Sequence, residues 1–546
     1  MAQLSHELVE EAAAHTPAAI ALRHGAQRTS YAALAAAGAA AAAAFAAALR
    51  ACGAGGGERV ALRLPDGPAF VAALLGASGA GCAVVPIDPA LGGERCGALL
   101  RDCRAVILVA GAGDLASLAP VLADCPRLRL LIVQDGPARS DIPGPGLLRT
   151  LGWDAFLAGA GGESATAPAA GLAALLYCAD YRTVGAGDRG PVGGMALSHR
   201  NLVAGAQSTV RCAGMEAGQA LLVALPLHSD HGLNALLAAF AAGATVVLEP
   251  SAASAGQPGA AALARRLGRG SIEGLVASPA LLAALAGQDL RHAAGGLRYL
   301  VCAGGAPERS ALDALRRALP RTRIHLLYDI GDACRSTSLM PAMLDERPGS
   351  MGRALPYSEW RVLRPDGRDC LPGETGELAR CGALVTLGYW NDPQRTAAHF
   401  RALPPTPGLA RRETGYFPGL AARKDGDGFL YLLDARSDII VTQGYRVSPR
   451  EVEKIVVGTG LVTEAAAVGV AHPVLGQVIA VLATPRPGAR LDSTILFGAC
   501  QARLPRYMLP AMVDVRRTPL PRCGDGQIDR ALLAGELAPL FAEVTP

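Results

Sequence analysis

The chain has 546 residues, enough for more than one domain and several hydrophobic cores. Hydrophobic residues make up 51% and charged residues 18%, a balance that excludes an intrinsically disordered chain. With 51 basic against 47 acidic residues the formal charge is +4, which gives no basis for nucleic-acid binding.

The start, Met-Ala-Gln-Leu-Ser-His-Glu-Leu, has no basic stretch followed by an apolar one, so no signal peptide is expected. The uncharged run Tyr31–Leu49 is almost all alanine and has few of the large apolar residues that drive insertion. It is expected to be a packed helix of a soluble protein, not an integral membrane segment. The 13 cysteines have no C-x-x-C pair, which fits free or buried thiols in a reducing cytoplasm.

Residues 58–88 read as strand, helix, strand. Arg59–Leu64 and Cys82–Ile87 are the strands, and Pro68–Ala80 is a helix opened by a proline suited to its first turn. Short apolar runs then recur at Ala105–Ala110, Leu130–Val133, Leu221–Leu225, Ala244–Leu248, Gly274–Ala277 and Tyr299–Cys302, most of them near helical stretches. This alternation predicts an α/β fold with doubly wound sheets. Gly136–Gly146 reads as a surface loop. From about residue 350, short strands and Gly/Pro turns predict a β-rich subdomain reaching residue 433. Residues 434–546 predict a small α+β lid domain, with helices Pro449–Val457 and Leu491–Leu504 and strands Ala465–Val470 and Val478–Ala483. Residues 1–433 form the large N-terminal domain of this division.

Several segments, in order, resemble the adenylate-forming superfamily, which contains the AMP-forming acyl-CoA ligases. They are Leu225-Pro-Leu227, Ala303-Gly-Gly-Ala-Pro307, Tyr328 with its loop, Gly373–Leu378, Gly388–Pro393, Gly444–Glu453 and Gly526-Gln-Ile-Asp-Arg530. The wording of Arg335-Ser-Thr337, Gly444–Glu453 and Thr459–Gln477 is similar to the subgroup associated with exosortase A systems. The resemblance implies an N-terminal AMP-binding domain and a C-terminal lid. It also implies ATP, Mg2+ and coenzyme A as cofactors and a carboxylic acid or acyl-CoA as the small-molecule partner. In such ligases a carboxylate attacks the α-phosphate of ATP, and the CoA thiol then displaces AMP.

The same resemblance assigns stations to numbered residues. Gly304, Gly305, Ala306 and Tyr328 fall on the nucleotide side, and Gly444, Tyr445 and Arg446 on the loop that faces coenzyme A. The tyrosine loop of the family reads Tyr-Gly-x-Thr-Glu; here it is Tyr328-Asp-Ile-Gly-Asp332. Gly331 therefore stands for the phosphate-contacting threonine, and Asp332 for the magnesium-binding glutamate, one methylene shorter. Leu420 stands at the ribose-clamping aspartate, Ala435 at the hinge arginine, Ser437 at the hinge aspartate and Gln527 at the terminal lysine. The loop Tyr177–Gly194 keeps glycines but has neither the hydroxyl cluster nor the lysine expected of a phosphate cradle. His228 and His231 are expected to be ordinary loop histidines, since neither has a partner at a ligand-like spacing.

These departures fall on the catalytic stations and leave the structural motifs intact. Three readings follow: a family member deficient in adenylation; an active ligase using Arg182, Arg189 or Lys424 for the missing cations; and a scaffold or regulatory subunit with a protein partner.

Overall fold

Helix Tyr31–Ala51 begins where the Ser30 hydroxyl accepts from the Ala33 N–H, satisfying one of the free donors of its first turn. It lies against helix Pro68–Gly79 at a very close approach. A Cβ on Gly76 would stand 2.4 Å from the Ala41 Cβ. The small residues that make this segment resemble a membrane span by composition are what let the two helices touch. The helix is 21 residues long and apolar enough to cross a membrane, yet Tyr31, Leu34, Phe45 and Leu49 are buried in the first core of the protein.

The structure, a computed structural model, describes residues 2–136, 148–159, 171–177, 193–249, 259–307, 309–330, 333–347, 349–404, 413–432, 440–442, 445–447, 449–472, 475–486, 488–489, 491–522 and 528–542. Most of the expected loop Gly136–Gly146 lies outside the described residues. The described strands form four sheets. In the first, Arg59–Arg63 is flanked in parallel by Ala83–Pro86 and Ile107–Gly111. Leu130–Gln134 and Arg149–Gly152 extend the parallel run on one side. On the other, Leu172–Leu176 leads to the antiparallel strands Gly194–Ser198 and Gly388–Trp390.

The second sheet has a parallel centre, Thr245–Leu248, Ala220–Val223, Gly274–Ala277, Tyr299–Ala303 and Arg323–Ile330 in spatial order. Ile20–His24 continues the parallel run beside Thr245–Leu248, and antiparallel strands close both edges: Ala333–Leu339 then Arg353–Ala354 at one, Gln27–Ser30 at the other. The central strands are buried on both faces, which is why they read as unbroken apolar runs. The fold is thus α/β with mixed sheets, a large N-terminal domain and a small C-terminal one.

The third sheet, β-rich as expected, pairs Ser358–Leu363 with Thr375–Gly382 and carries Thr414–Tyr416 and Ala421–Lys424 beside it. It joins the second sheet through the Trp360 indole, whose N–H donates to the Ser336 carbonyl at 3.0 Å. In the C-terminal part, Val462–His472 and Gly476–Pro485 form an antiparallel pair with Met512–Val515 parallel beside it. Alternate residues face opposite cores: Ala465 and Ala467 pack with Val452 and Leu496, while Ala466 and Val468 pack with Leu533 and Leu537.

Candidate active site

The two central strands of the second sheet deliver the site. Strand Tyr299–Ala303 ends in Gly304 and Gly305, with φ +95° and +127°. Such angles favour glycine. Both amides donate to the Leu327 carbonyl, at 3.0 and 2.7 Å, so the turn folds over the end of the neighbouring strand. A Cβ on Gly305 would lie 4.0 Å from the Tyr328 ring. Tyr328 and Ala306 are half-buried against the core beneath, and burial pushes the Tyr328 phenol up to about 12. The Gly-Gly turn and the tyrosine are therefore brought together, at the carboxyl ends of parallel strands where open α/β sheets form their crevices.

His231 corrects the expectation of an ordinary loop histidine. It lies in the first turn of helix Asp230–Ala242, which the Ser229 hydroxyl caps by accepting from the Gly232 N–H at 3.1 Å. Its Nε2 stands 2.9 Å from Oδ2 of Asp329, whose side chain is 4% exposed. The partner is 98 residues away in sequence, so no spacing rule finds it. The one available signal was Asp329 itself, an acid directly after the tyrosine where the family pattern has glycine. His228 stands 3.9 Å from Asp88, and Asp66 accepts from the Leu227 N–H at 3.1 Å. Burial raises the Asp66 carboxyl above its usual range, against the opposing pull of His228.

Leu420 is placed beside this strand end. It packs half-buried against the apolar group of Trp360, Val362, Leu378 and Tyr416, which also includes Ile330 from the tyrosine strand. Its carbonyl accepts from the Leu378 N–H at 2.9 Å. Lys424, one of the cations considered as a substitute, donates from Nζ to the Trp360 carbonyl at 3.2 Å. Gly331, Asp332, Ala435, Ser437, Gly444 and Gln527 lie outside the described residues, as do Arg182 and Arg189 with most of the loop Tyr177–Gly194. Tyr445 and Arg446 lie in a short strand, Tyr445–Val447, antiparallel to Ile440–Thr442.

Several motif residues hold the frame. Ser198 and Asn201 form a reciprocal cap on helix His199–Ala213. The Asn201 amide also donates to the carbonyls of Ala383 and Val385, both at 2.7 Å. The Trp390 indole and the Asn391 amide donate to the Asp102 carbonyl, while the Tyr177 hydroxyl donates to the Asp102 carboxylate at 2.6 Å. Near the carboxyl terminus, Arg530 pairs with Glu453: its Nη2 donates to both carboxylate oxygens, at 2.8 and 2.9 Å, and its Nε to one of them at 3.1 Å.

A sequence model of the AMP-binding enzyme family matches residues 9–177 and 190–390, and a model of the AMP-binding enzyme C-terminal domain matches residues 451–526. The chain belongs to the AMP-binding enzyme family. Among curated relatives of this family member, a feruloyl-CoA synthase from an Amycolatopsis species is 29% identical over 533 residues, 96% of each chain. An indoleacetate–CoA ligase from Aromatoleum aromaticum is 28% identical over 532 residues, again 96% of each. The fold matches that of an o-succinylbenzoate CoA synthetase from Bacillus subtilis with a TM-score of 0.76, at 23% identity and covering 97% of this chain and 98% of that one. An amide bond synthetase from Marinactinospora thermotolerans matches with a TM-score of 0.77 at 21% identity, covering 98% of this chain and 99% of that one.

The family uses ATP, Mg2+ and coenzyme A with a carboxylic acid. At the described positions the donor set does not fit the ribose of a nucleotide. Leu420, expected from the sequence at the ribose-clamping position, has a hydrocarbon side chain among apolar neighbours and offers a hydroxyl no acceptor.

Proposed function

We propose that this chain is an AMP-forming acyl-CoA ligase family member deficient in acyl-adenylate formation, of the subgroup associated with exosortase A systems. Its domains are residues 1–433, with the β-rich subdomain from about 350, and a lid of residues 434–546. It retains a binding surface for an acyl group or coenzyme A and works in the cytoplasm, in keeping with the free thiols of its described cysteines.

The observation that carries this reading is Leu420. Its side chain belongs to an apolar cluster, so no small rotation turns it into a ribose acceptor. The identities of Ala435, Ser437, Gly331 and Gln527 point the same way. Each lost electrostatic donor costs roughly 10²–10³ in rate. The costs within one site do not add, but their joint loss takes adenylation close to background.

The active-ligase reading has its own support in relatives named as CoA ligases that match along 96% of the chain. Of its three substitute cations, Lys424 is already bonded to a carbonyl. Pyrophosphate release with ATP and a panel of carboxylic acids, ferulate and indoleacetate among them, decides between the two. Release at the no-enzyme rate is expected, and turnover well above it sinks the deficiency. The combined variant Gln527→Lys, Leu420→Asp and Ala435→Arg is expected to recover part of the adenylation. Calorimetry with ATP and with CoA separates a binding role from a scaffold role: if neither binds, the scaffold with a protein partner is left.

A further inference from the structure

The amino end of strand Arg59–Arg63 carries a feature that the candidate active site does not use. Asp66 and the Gly-Gly turn follow the carboxyl ends of their strands, whereas Arg59 opens its own. Beside Arg59 lies a cavity of about 580 Å³. Three further arginines line it: Arg101 and Arg104 from the end of helix Gly93–Cys103, and Arg127 from the turn ahead of strand Leu130–Gln134. Its apolar floor is the exposed Pro126, together with the little that Leu100 and Cys125 show at 2% exposure.

The four guanidinium groups are not equivalent. Arg59 is spent on the fold: it donates to the carbonyls of Cys103, Gly57 and Arg104 and pairs with Glu58 at 2.8 Å. Arg127 shares the same glutamate at 2.9 Å. No hydrogen bond or ion pair among the described residues engages the guanidinium of Arg101 or Arg104. Counting Glu58 and Asp124 against the four arginines leaves a net charge of +2. Arg104 also holds φ +52°, ψ +45° at the helix end, where glycine or asparagine is the less costly choice.

We propose that this cavity binds a small phosphate monoester. A monoester carries close to two negative charges at neutral pH, which balances the net charge of the lining. Guanidinium forks match phosphate oxygens in paired hydrogen bonds. The organic part of the ester rests on Pro126 and the hydrocarbon stems of the arginines. The site shares no residue with the candidate active site, so it stands whether or not the chain adenylates.

Calorimetric titration of the full-length protein with phenyl phosphate and with inorganic phosphate tests it. Phenyl phosphate is expected to bind saturably and more tightly than inorganic phosphate, because only the ester covers the floor. The variant Arg101→Ala/Arg104→Ala is expected to weaken that binding about tenfold or more, the effect of losing a charge-assisted hydrogen bond. Both residues are exposed, so the variant should keep the parent melting temperature. An absence of saturable binding overturns the proposal. So does an affinity unchanged in the double variant, which would locate the phosphate at the nucleotide side.

Discussion

Two buried histidines make the protein's stability depend on pH. His199 is fully buried at the start of its helix, and its Nδ1 accepts from the Ser5 amide at 3.2 Å. That bond assigns the proton to Nε2, so a second proton on Nδ1 would face an N–H. Burial, with the charge of His6, pushes His199 down to about 4. His325, 6% exposed, is likewise pushed down to about 4 by burial and then by Arg323. Both folded values lie below the unfolded value, so the unfolded state binds the extra protons first. The stability these groups contribute is present above about pH 6.5 and is lost as pH falls to about 4, on the order of 3 kcal/mol for each. Thermal melts across that range are expected to fall steeply, and His199→Gln/His325→Gln should flatten the fall. An equal slope in the double variant would show that other groups govern it. At this scale the sequence was legible where a local motif decides, as at Gly304 and Gly305, whose turn meets Tyr328 as expected. It was not legible for the pairing of His231 with Asp329, which exists only because a helix start and a strand end meet in space.

Helices and strands were legible where their pattern is local. The apolar runs expected at Ala244–Leu248, Gly274–Ala277 and Tyr299–Cys302 are strands within a residue of those bounds, and helix Pro449–Val457 has the expected ends. The helices Glu7–His15 and Arg530–Ala542 were not expected. The second has little amphipathic pattern of its own, and only the packing of Leu533 and Leu537 on the C-terminal sheet fixes it. The ion pair at the head of that helix ties it to Pro449–Val457. Glu453 accepts from Nε and Nη2 of Arg530 and also from the Ala467 N–H at 2.9 Å. The two side chains are 13% and 17% exposed. Arg530→Ala leaves a largely buried carboxylate with one hydrogen bond and is expected to cost about 2–3 kcal/mol. Urea denaturation followed by a double-mutant cycle with Glu453→Gln checks it. A coupling energy near zero would mean the pair lies idle on the surface of the C-terminal domain.

For the molecule as a whole, the open question from composition was whether an alanine-rich helix near the amino terminus belongs to a membrane or to a core. Its length and hydropathy admit both. Its packing is that of a core helix: the aromatic edge of Phe45 meets Phe156 at 4.8 Å, and the Tyr31 hydroxyl donates to the Ala244 carbonyl at 2.7 Å across to the second sheet. Two sheets are thereby braced by one helix, and small residues set how closely it can lie. Gly76→Ala tests that closeness. The new methyl would sit 2.4 Å from the Ala41 Cβ and 2.9 Å from the Ala41 carbonyl carbon, a backbone atom that moves only with its helix. Overpacking of this kind is expected to cost about 1–3 kcal/mol. Gly55→Ala, where the added methyl meets nothing within 4 Å, is the matched control and is expected to leave stability nearly unchanged. If the helix left the core to span a bilayer, the two substitutions would have equal and small effects on the denaturation midpoint. The expected gap between them is therefore a direct measurement of where Tyr31–Ala51 resides.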